Sequence, residues 1–208
     1  MKTQDPQDRD RDPRIAFFDR QSITWDRDGR DPVETIRRLN ELQNLLGLQP
    51  GQDLLEVGCG TGQITGWLAD RIRPGKVTAI DFSKSMLSQA SQKQLDATLL
   101  CRDVCQDDLG REEFDVVLCF HAFPHFRDQS QAVRRLGQSL RKGGRLIVMH
   151  LAARAKINAF HDQVGGEVTG DHLPDDPTFR ALLRDAGLEC IEVIDRDDLF
   201  FLSAVRAS

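Results

Sequence analysis

Apolar residues recur along this chain with two different periods, and the periods predict its secondary structure. Short apolar runs rich in branched and aromatic residues predict strands at 53–57, 76–81, 97–102, 114–120, 145–151, 190–195 and 199–205. Apolar positions spaced three and four apart predict helices at 33–46, 63–71, 83–92, 130–140 and 177–186. Strands that are nearly continuous apolar runs, separated by helices, are typical of a parallel sheet covered on both faces.

The last two strands depart from this alternation. Only a few residues separate the run ending at Asp195 from the run beginning at Leu199. A parallel crossover needs a dozen or more residues, so these two strands must pair antiparallel. We therefore predict an α/β fold with a mostly parallel, seven-stranded sheet and an antiparallel C-terminal strand.

A glycine cluster stands between the first strand and the helix that follows it, with the sequence EVGCGTG at residues 56–62. Glycine at alternate positions lets a backbone turn tightly and approach a ligand closely. The dinucleotide fingerprint G-x-G-x-x-G would need a glycine where Gln63 stands, and no Gly-Lys-Ser/Thr of a phosphate-binding P-loop follows. The cluster thus predicts a ligand loop that needs close backbone approach rather than a lysine cradle.

This segment resembles the E/D-x-G-x-G-x-G signature of class I S-adenosylmethionine-dependent methyltransferases, and the resemblance runs from about residue 15 to the C-terminus. FDVVLCF resembles the fourth-strand motif of that family, and LRKGGRLIVM resembles its L-x-P-G-G-x-L turn, with Lys142 in place of proline. FFDRQSITWD and HAFPHF look most similar to the ubiquinone and menaquinone biosynthesis-like small-molecule methyltransferases. The resemblance implies a Rossmann-like three-layer sandwich, S-adenosyl-L-methionine as cofactor and methyl transfer to a small-molecule acceptor.

The resemblance also implies which residues bind the cofactor. In this family an acid at the end of the second strand holds both ribose hydroxyls, and Asp81 matches it. Asp103 and Val104 match the positions that bind the adenine amino group and ring nitrogen, and Phe82 matches a residue that covers the adenine face. The full expected set is Glu56, Gly58, Gly60, Gly62, Asp81, Phe82, Asp103, Val104 and Phe120.

All five histidines fall between residues 121 and 172, after strands whose carboxyl ends share one edge of the sheet. We expect His121, His125 and His150 to serve the acceptor, with His121 first as the base because it directly follows the fourth strand. Two alternatives stay open: hydrogen-bonded structural imidazoles, or ligands of a metal or metal-bound acceptor. Because the spacing offers no compact ligand motif, no metal is assigned.

The distribution of charge divides the chain into an N-terminal tail and one domain. Fifteen of the first 31 residues are charged, so residues 1–14 are predicted to be a disordered tail, and residues 15–208 a single methyltransferase domain. Large apolar groups from Ile15 to Trp25 predict an arm that packs on this domain. The long connection at 150–176 is expected to join the arm in a substrate cap.

The composition of the chain indicates which kinds of partner and which compartment to expect. The net charge of −5 argues against nucleic acid, and no apolar run approaches the roughly 20 residues that cross a bilayer. The first residues are unlike a secretory signal, and five scattered cysteines favour reduced thiols, so we expect a cytoplasmic protein. Two rival classes are a non-catalytic regulatory protein that binds S-adenosylmethionine and a nicotinamide oxidoreductase; Gln63 and the terminal hairpin disfavour the second.

Overall fold

The computed structural model describes residues 12–29 and 31–207, and these contain seven strands in one sheet. The strands are Leu54–Val57 (β1), Val77–Asp81 (β2), Ala97–Cys101 (β3), Phe114–Phe120 (β4), Leu140–His150 (β5), Leu188–Arg196 (β6) and Leu199–Arg206 (β7). Their order is β3-β2-β1-β4-β5-β7-β6, and β7 runs antiparallel to the other six strands. The predicted sheet, with its reversed C-terminal strand, is confirmed.

Helices cover both faces of this sheet. They are Pro13–Gln21 (α1), Pro32–Glu41 (α2), Gln43–Leu46 (α3), Thr65–Ile72 (α4), Lys84–Ser91 (α5), Gln129–Ser139 (α6), Arg154–Val164 (α7) and Asp176–Asp185 (α8). Alternate strand residues enter two separate apolar cores: Leu55 and Val117 face the core that contains Leu136 of α6, whereas Leu54 faces the core that contains Leu68 of α4. The three-layer sandwich follows from this alternation.

Several element boundaries differ from the sequence-based expectation; β5, for example, begins at Leu140 rather than at 145. The predicted helix at 33–46 is wrong as a single helix: Leu42, with φ −95° and ψ 6°, leaves helical geometry and separates α2 from α3. Helix α1 begins at Pro13, where Asp12 caps it by accepting from the Arg14 backbone N–H at 3.1 Å. Asp12–Arg14 therefore belong to the described arm, and the rest of the predicted tail lies outside the described residues.

No helix among the described residues has both the length and the apolar character that crossing a membrane requires. The β4 strand leads into a 3₁₀ turn at Phe123–His125, and a second such turn, Gly166–Val168, lies in the connection between α7 and α8. The turn at Phe123–His125 and the π-helical turn Trp25–Gly29 both contribute residues to the carboxyl edge of the sheet.

Candidate functional site

A cavity opens at the carboxyl edge of the sheet, and most of the residues predicted to bind the cofactor line it. The sheet side contributes Glu56, Val57, Gly58, Gly60, Asp81, Phe82, Asp103, Val104, Phe120, His121, Ala122 and His125. The arm contributes Asp12, Phe18 and Trp25. Ligands of open α/β sheets bind at this edge, so the cavity is the candidate active site.

The glycine loop makes the floor of the cavity. Gly58 has φ +72°, and a Cβ there would lie 2.5 Å from the Ala122 Cβ, so the loop can approach the β4 turn only without a side chain. The backbone N–H of Gly60 donates to Asp81 Oδ2 at 2.9 Å. Gly62 does not line the cavity; a Cβ there would lie 2.6 Å from Leu95 Cδ1, so its small size serves packing behind the loop.

Two buried carboxyl groups stand at the ends of β1 and β2. Asp81 accepts from the Ser83 backbone N–H at 2.8 Å as well as from the loop, and burial raises its pKa to about 6. Glu56 accepts from Thr65 Oγ1 at 2.6 Å, and burial raises its pKa to about 8. Carboxyl groups held dry in this way favour a ligand that brings hydroxyl donors or positive charge. S-Adenosylmethionine carries both.

The cavity also contains a third buried acid and several apolar side chains. Asp103 is buried and accepts from the Cys105 backbone N–H at 2.8 Å. Val104, Phe82 and Phe120 are apolar residues that line the same cavity. This combination suits a flat, nitrogen-bearing ring with an exocyclic amino group.

The arm closes over the loop through one aromatic and one acidic side chain. Phe18 is buried, and its ring centroid lies 5.6 Å from that of Phe82 and 4.9 Å from that of His125. Asp26 accepts from Thr61 Oγ1 at 2.5 Å and from Lys93 Nζ at 2.6 Å. These contacts bring the predicted arm onto the cavity.

Four of the five histidines cluster at this edge, in two pairs. His121 and His150 meet through their Nδ1 atoms at 3.2 Å, and His125 and His161 have ring centroids 4.8 Å apart. Of the three predicted to serve the acceptor, His121 and His125 line the cavity, whereas His150 is buried behind His121. The remaining histidine, His172, lies apart on the surface, 2.8 Å from Asp162.

No group of three or more His, Cys, Asp and Glu side chains arranged to hold a metal ion occurs within residues 12–29 and 31–207. The histidine pairs are instead bonded to the protein. His161 Nδ1 lies 2.5 Å from the backbone oxygen of Asp171, and the Leu151 backbone N–H donates to His121 Nε2 at 3.4 Å.

Sequence reasoning did not find several residues at this edge. Asp12, Gln63 and Arg127 line the cavity, and Asp171 contacts His125 from the 150–176 connection. One signal was readable: an Asp followed by Pro marks a helix start, and Asp12-Pro13 is such a pair. The contact of Asp171 joins residues 46 apart in the chain and leaves no local pattern.

Comparisons with known proteins bear on the family and the fold of this chain. A family model described as a methyltransferase domain matches residues 55–148, from β1 to β5. The ubiquinone biosynthesis O-methyltransferase of Pseudomonas savastanoi pv. phaseolicola is 30% identical over 188 residues, covering 82% of this chain and 79% of that protein. A structure described as a SAM-dependent methyltransferase from Aquifex aeolicus aligns with a TM-score of 0.68 at 18% identity, covering 93% of this chain and 98% of that one.

A plant relative shares a smaller part of its length. Phosphoethanolamine N-methyltransferase 3 of Arabidopsis thaliana is 28% identical over 171 residues, which cover 79% of this chain and 34% of the plant protein. The chain thus spans about a third of that enzyme.

The chain belongs to the S-adenosylmethionine-dependent methyltransferases. It is an enzyme of class I, with the Rossmann-like fold, and its cofactor is S-adenosyl-L-methionine. The family, fold and cofactor predicted from the sequence are confirmed.

Proposed function

We propose that this enzyme methylates a small molecule by in-line displacement at the cavity on the carboxyl edge of the sheet. The observation that carries the proposal is the meeting, in one cavity, of the glycine loop, the buried acids Asp81 and Asp103, and two histidines. The relatives support a small acceptor, since their names refer to ubiquinone biosynthesis and to phosphoethanolamine.

We assign the cofactor-binding roles from the cavity walls. Asp81 would accept hydrogen bonds from the ribose hydroxyls, while Asp103 and Val104 would bind the edge of the adenine ring. Phe82 and Phe120 would cover apolar surface, and the loop at 58–60 would admit the methionine part. Glu56 supports the loop through its bond to Thr65.

The bound cofactor supplies an electrophilic methyl group on a positively charged sulfur. The protein then has three tasks: to align the acceptor opposite the sulfur, to exclude water, and to take the acceptor's proton. The arm can help to exclude water, because its apolar residues Phe18 and Trp25 line the cavity. The histidines that line the cavity, His121 and His125, are candidates for the proton acceptor.

The net charge bears on the kind of acceptor, and the cysteines bear on the compartment of the enzyme. The net charge of −5 favours a small acceptor over nucleic acid. All five cysteines are free thiols, as expected for a cytoplasmic enzyme.

Calorimetry and a transfer assay test this function. We expect S-adenosylhomocysteine to bind and NAD to bind far more weakly, and tritium from methyl-labelled S-adenosylmethionine to reach at least one member of a panel of small phenols, amines and carboxylates. Tighter binding of NAD would contradict the proposal. Cofactor binding without transfer to any acceptor of the panel would favour the regulatory alternative.

A further inference from the structure

His125 is held by a carboxylate that comes from a distant part of the chain. Its Nδ1 lies 2.8 Å from Asp171 Oδ2, and both side chains are nearly buried, at 15% and 10% exposure. His125 stands on the 3₁₀ turn after β4, whereas Asp171 belongs to the 150–176 connection. The pair therefore ties the 150–176 connection to the turn that carries His125 at the candidate active site.

The second oxygen of this carboxylate is also occupied. Arg14 Nη1 donates to Asp171 Oδ1 at 3.3 Å, and the same guanidinium donates through Nε and Nη2 to Asp12 at 2.9 and 3.0 Å. The adjacent guanidinium lowers the pKa of Asp12 against the opposing effect of its burial. Asp171 is thus fixed between the arm and His125: its Oδ1 contacts Arg14 of the arm, and its Oδ2 contacts His125.

These contacts decide which nitrogen of His125 carries hydrogen. An ionised carboxylate only accepts hydrogen bonds, so Nδ1 must be the donor, and a neutral ring then has its lone pair on Nε2. Among residues 12–29 and 31–207 no protein group is hydrogen-bonded to this Nε2. His125 also lines the cavity.

His121, the histidine that the sequence favours as the base, is arranged differently. Its Nε2 accepts the Leu151 backbone N–H, and its Nδ1 pairs with His150 Nδ1. It also has φ +56°, a left-handed conformation that is rare for residues other than glycine. Both ring nitrogens of His121 are therefore engaged by the protein.

We propose that Asp171 is a positioning residue that holds the His125 imidazole in its Nδ1-protonated form, so that His125 Nε2 takes the proton of the methyl acceptor. This inference rests on the proposed function and refines it. As the acceptor's electron pair forms the bond to the methyl carbon, the electron pair of the carbon–sulfur bond returns to sulfur, and the acceptor's proton moves to Nε2. The imidazolium formed is stabilised by Asp171 and releases the proton to solvent.

The groups packed around His125 are compatible with this role. Phe18 of the arm contacts the ring by an edge, and His161 of α7 contacts it from another side. Burial lowers the pKa of His161, so that ring stays neutral near pH 7 and adds no competing positive charge. Asp171 is then the one charged group in direct hydrogen-bond contact with His125 among the described residues.

The direct test is the tautomer of His125 by ¹⁵N NMR, with S-adenosylhomocysteine present, at a pH where the ring is neutral. We expect wild-type His125 to carry its proton on Nδ1. In Asp171→Asn the amide oxygen should stay with Arg14, so the NH₂ group would face Nδ1 and move the proton to Nε2. The matched control is Asp162→Asn, which alters the exposed His172–Asp162 pair of the same connection and should leave His125 unchanged.

An Nε2-protonated wild-type ring, or an unchanged tautomer in Asp171→Asn, would overturn the proposal. The wild-type spectrum decides alone if the variant does not fold. With any acceptor that the transfer assay identifies, Asp171→Asn should lower kcat at least about 100-fold, the scale of general base catalysis, at nearly unchanged affinity for S-adenosylhomocysteine. An equal loss of affinity would instead show a structural role. Failure of the wild type to bind the cofactor product would contradict the proposed function, while the tautomer would still report on the pair.

Discussion

The two walls of the cavity are built in different ways. On the sheet side, backbone groups hold the functional residues: the N–H groups of Gly58 and Cys59 donate to the Ile80 carbonyl at 2.8 and 3.0 Å, and Asp81 is held by the loop. On the arm side, side chains hold side chains, as in the Arg20–Glu167 ion pair at 2.5 Å. The first wall can serve as a permanent cofactor site, whereas the second can vary with the acceptor.

The family model matches the sheet-side wall and leaves the arm-side wall unmatched. The matched range ends at Val148, inside β5, and so includes the glycine loop, Asp81 and Asp103 but neither the arm nor the 150–176 connection. We therefore expect cofactor recognition to belong to the part matched by the family model. Acceptor recognition is expected from the part that lies outside the matched range.

The close approach within the sheet-side wall is tested by substitutions at two glycines. Gly58→Ala should lower the free energy of unfolding by roughly 3 kcal/mol, about 1 from the left-handed backbone and the rest from the contact with Ala122. Gly143→Ala is the control. Gly143 has φ +74°, but no atom lies within 4 Å of the added Cβ, so only the backbone cost of the left-handed conformation, about 1 kcal/mol, should remain. Urea unfolding measures both, and equal losses would show that the close approach is unimportant.

The cofactor role of Asp81 is tested by removing its carboxylate. Asp81→Ala should weaken binding of S-adenosylhomocysteine by roughly 1 to 3 kcal/mol, since ribose hydroxyls would lose their buried acceptor. Calorimetry measures this change, with Asp96→Ala as the control because Asp96 is 78% exposed and paired with Arg73. Unchanged affinity in Asp81→Ala would remove this residue from the site.

The raised pKa of Asp81 predicts how binding depends on pH. Hydroxyl donors favour the ionised carboxylate, so affinity should fall as the pH drops through about 6, by up to about tenfold per pH unit below it. Glu56, with a pKa of about 8, stays largely protonated from pH 5 to pH 7 and adds little. His121 and His125 also line the cavity and could add a pH dependence of their own. Asp81→Asn is therefore the control, because the part of the pH dependence that this substitution abolishes belongs to Asp81.

A single substitution in the arm-side wall should change cofactor affinity less than a substitution in the sheet-side wall. Asp26→Ala removes the acceptor of three donors, Thr61, Gln63 and Lys93, and should weaken cofactor binding by about 1 kcal/mol, mostly through faster dissociation. Stopped-flow release of S-adenosylhomocysteine measures this rate, with the exposed Asp70→Ala as the control. An unchanged release rate would mean that the arm does not close the site.

The same contrast explains what the sequence could predict. The family resemblance could point to Asp81 because the residue ends a strand with a local apolar pattern, and the glycine cluster marked the turn at Gly58, where a residue without Cβ is needed. Arg14 and Asp171 meet across 157 positions, and no pattern of period two or 3.6 encodes such a contact. The break at Leu42 was missed because the apolar spacing continues through it.

The most direct test of this account is a crystal structure with S-adenosylhomocysteine bound. We predict that the ribose hydroxyls lie within hydrogen-bond distance of Asp81, that the adenine lies beside Asp103 and Val104, and that the sulfur faces the histidine side of the cavity beneath the arm. An adenosine placed away from Asp81, with the loop at 58–60 in no contact with the ligand, would contradict it.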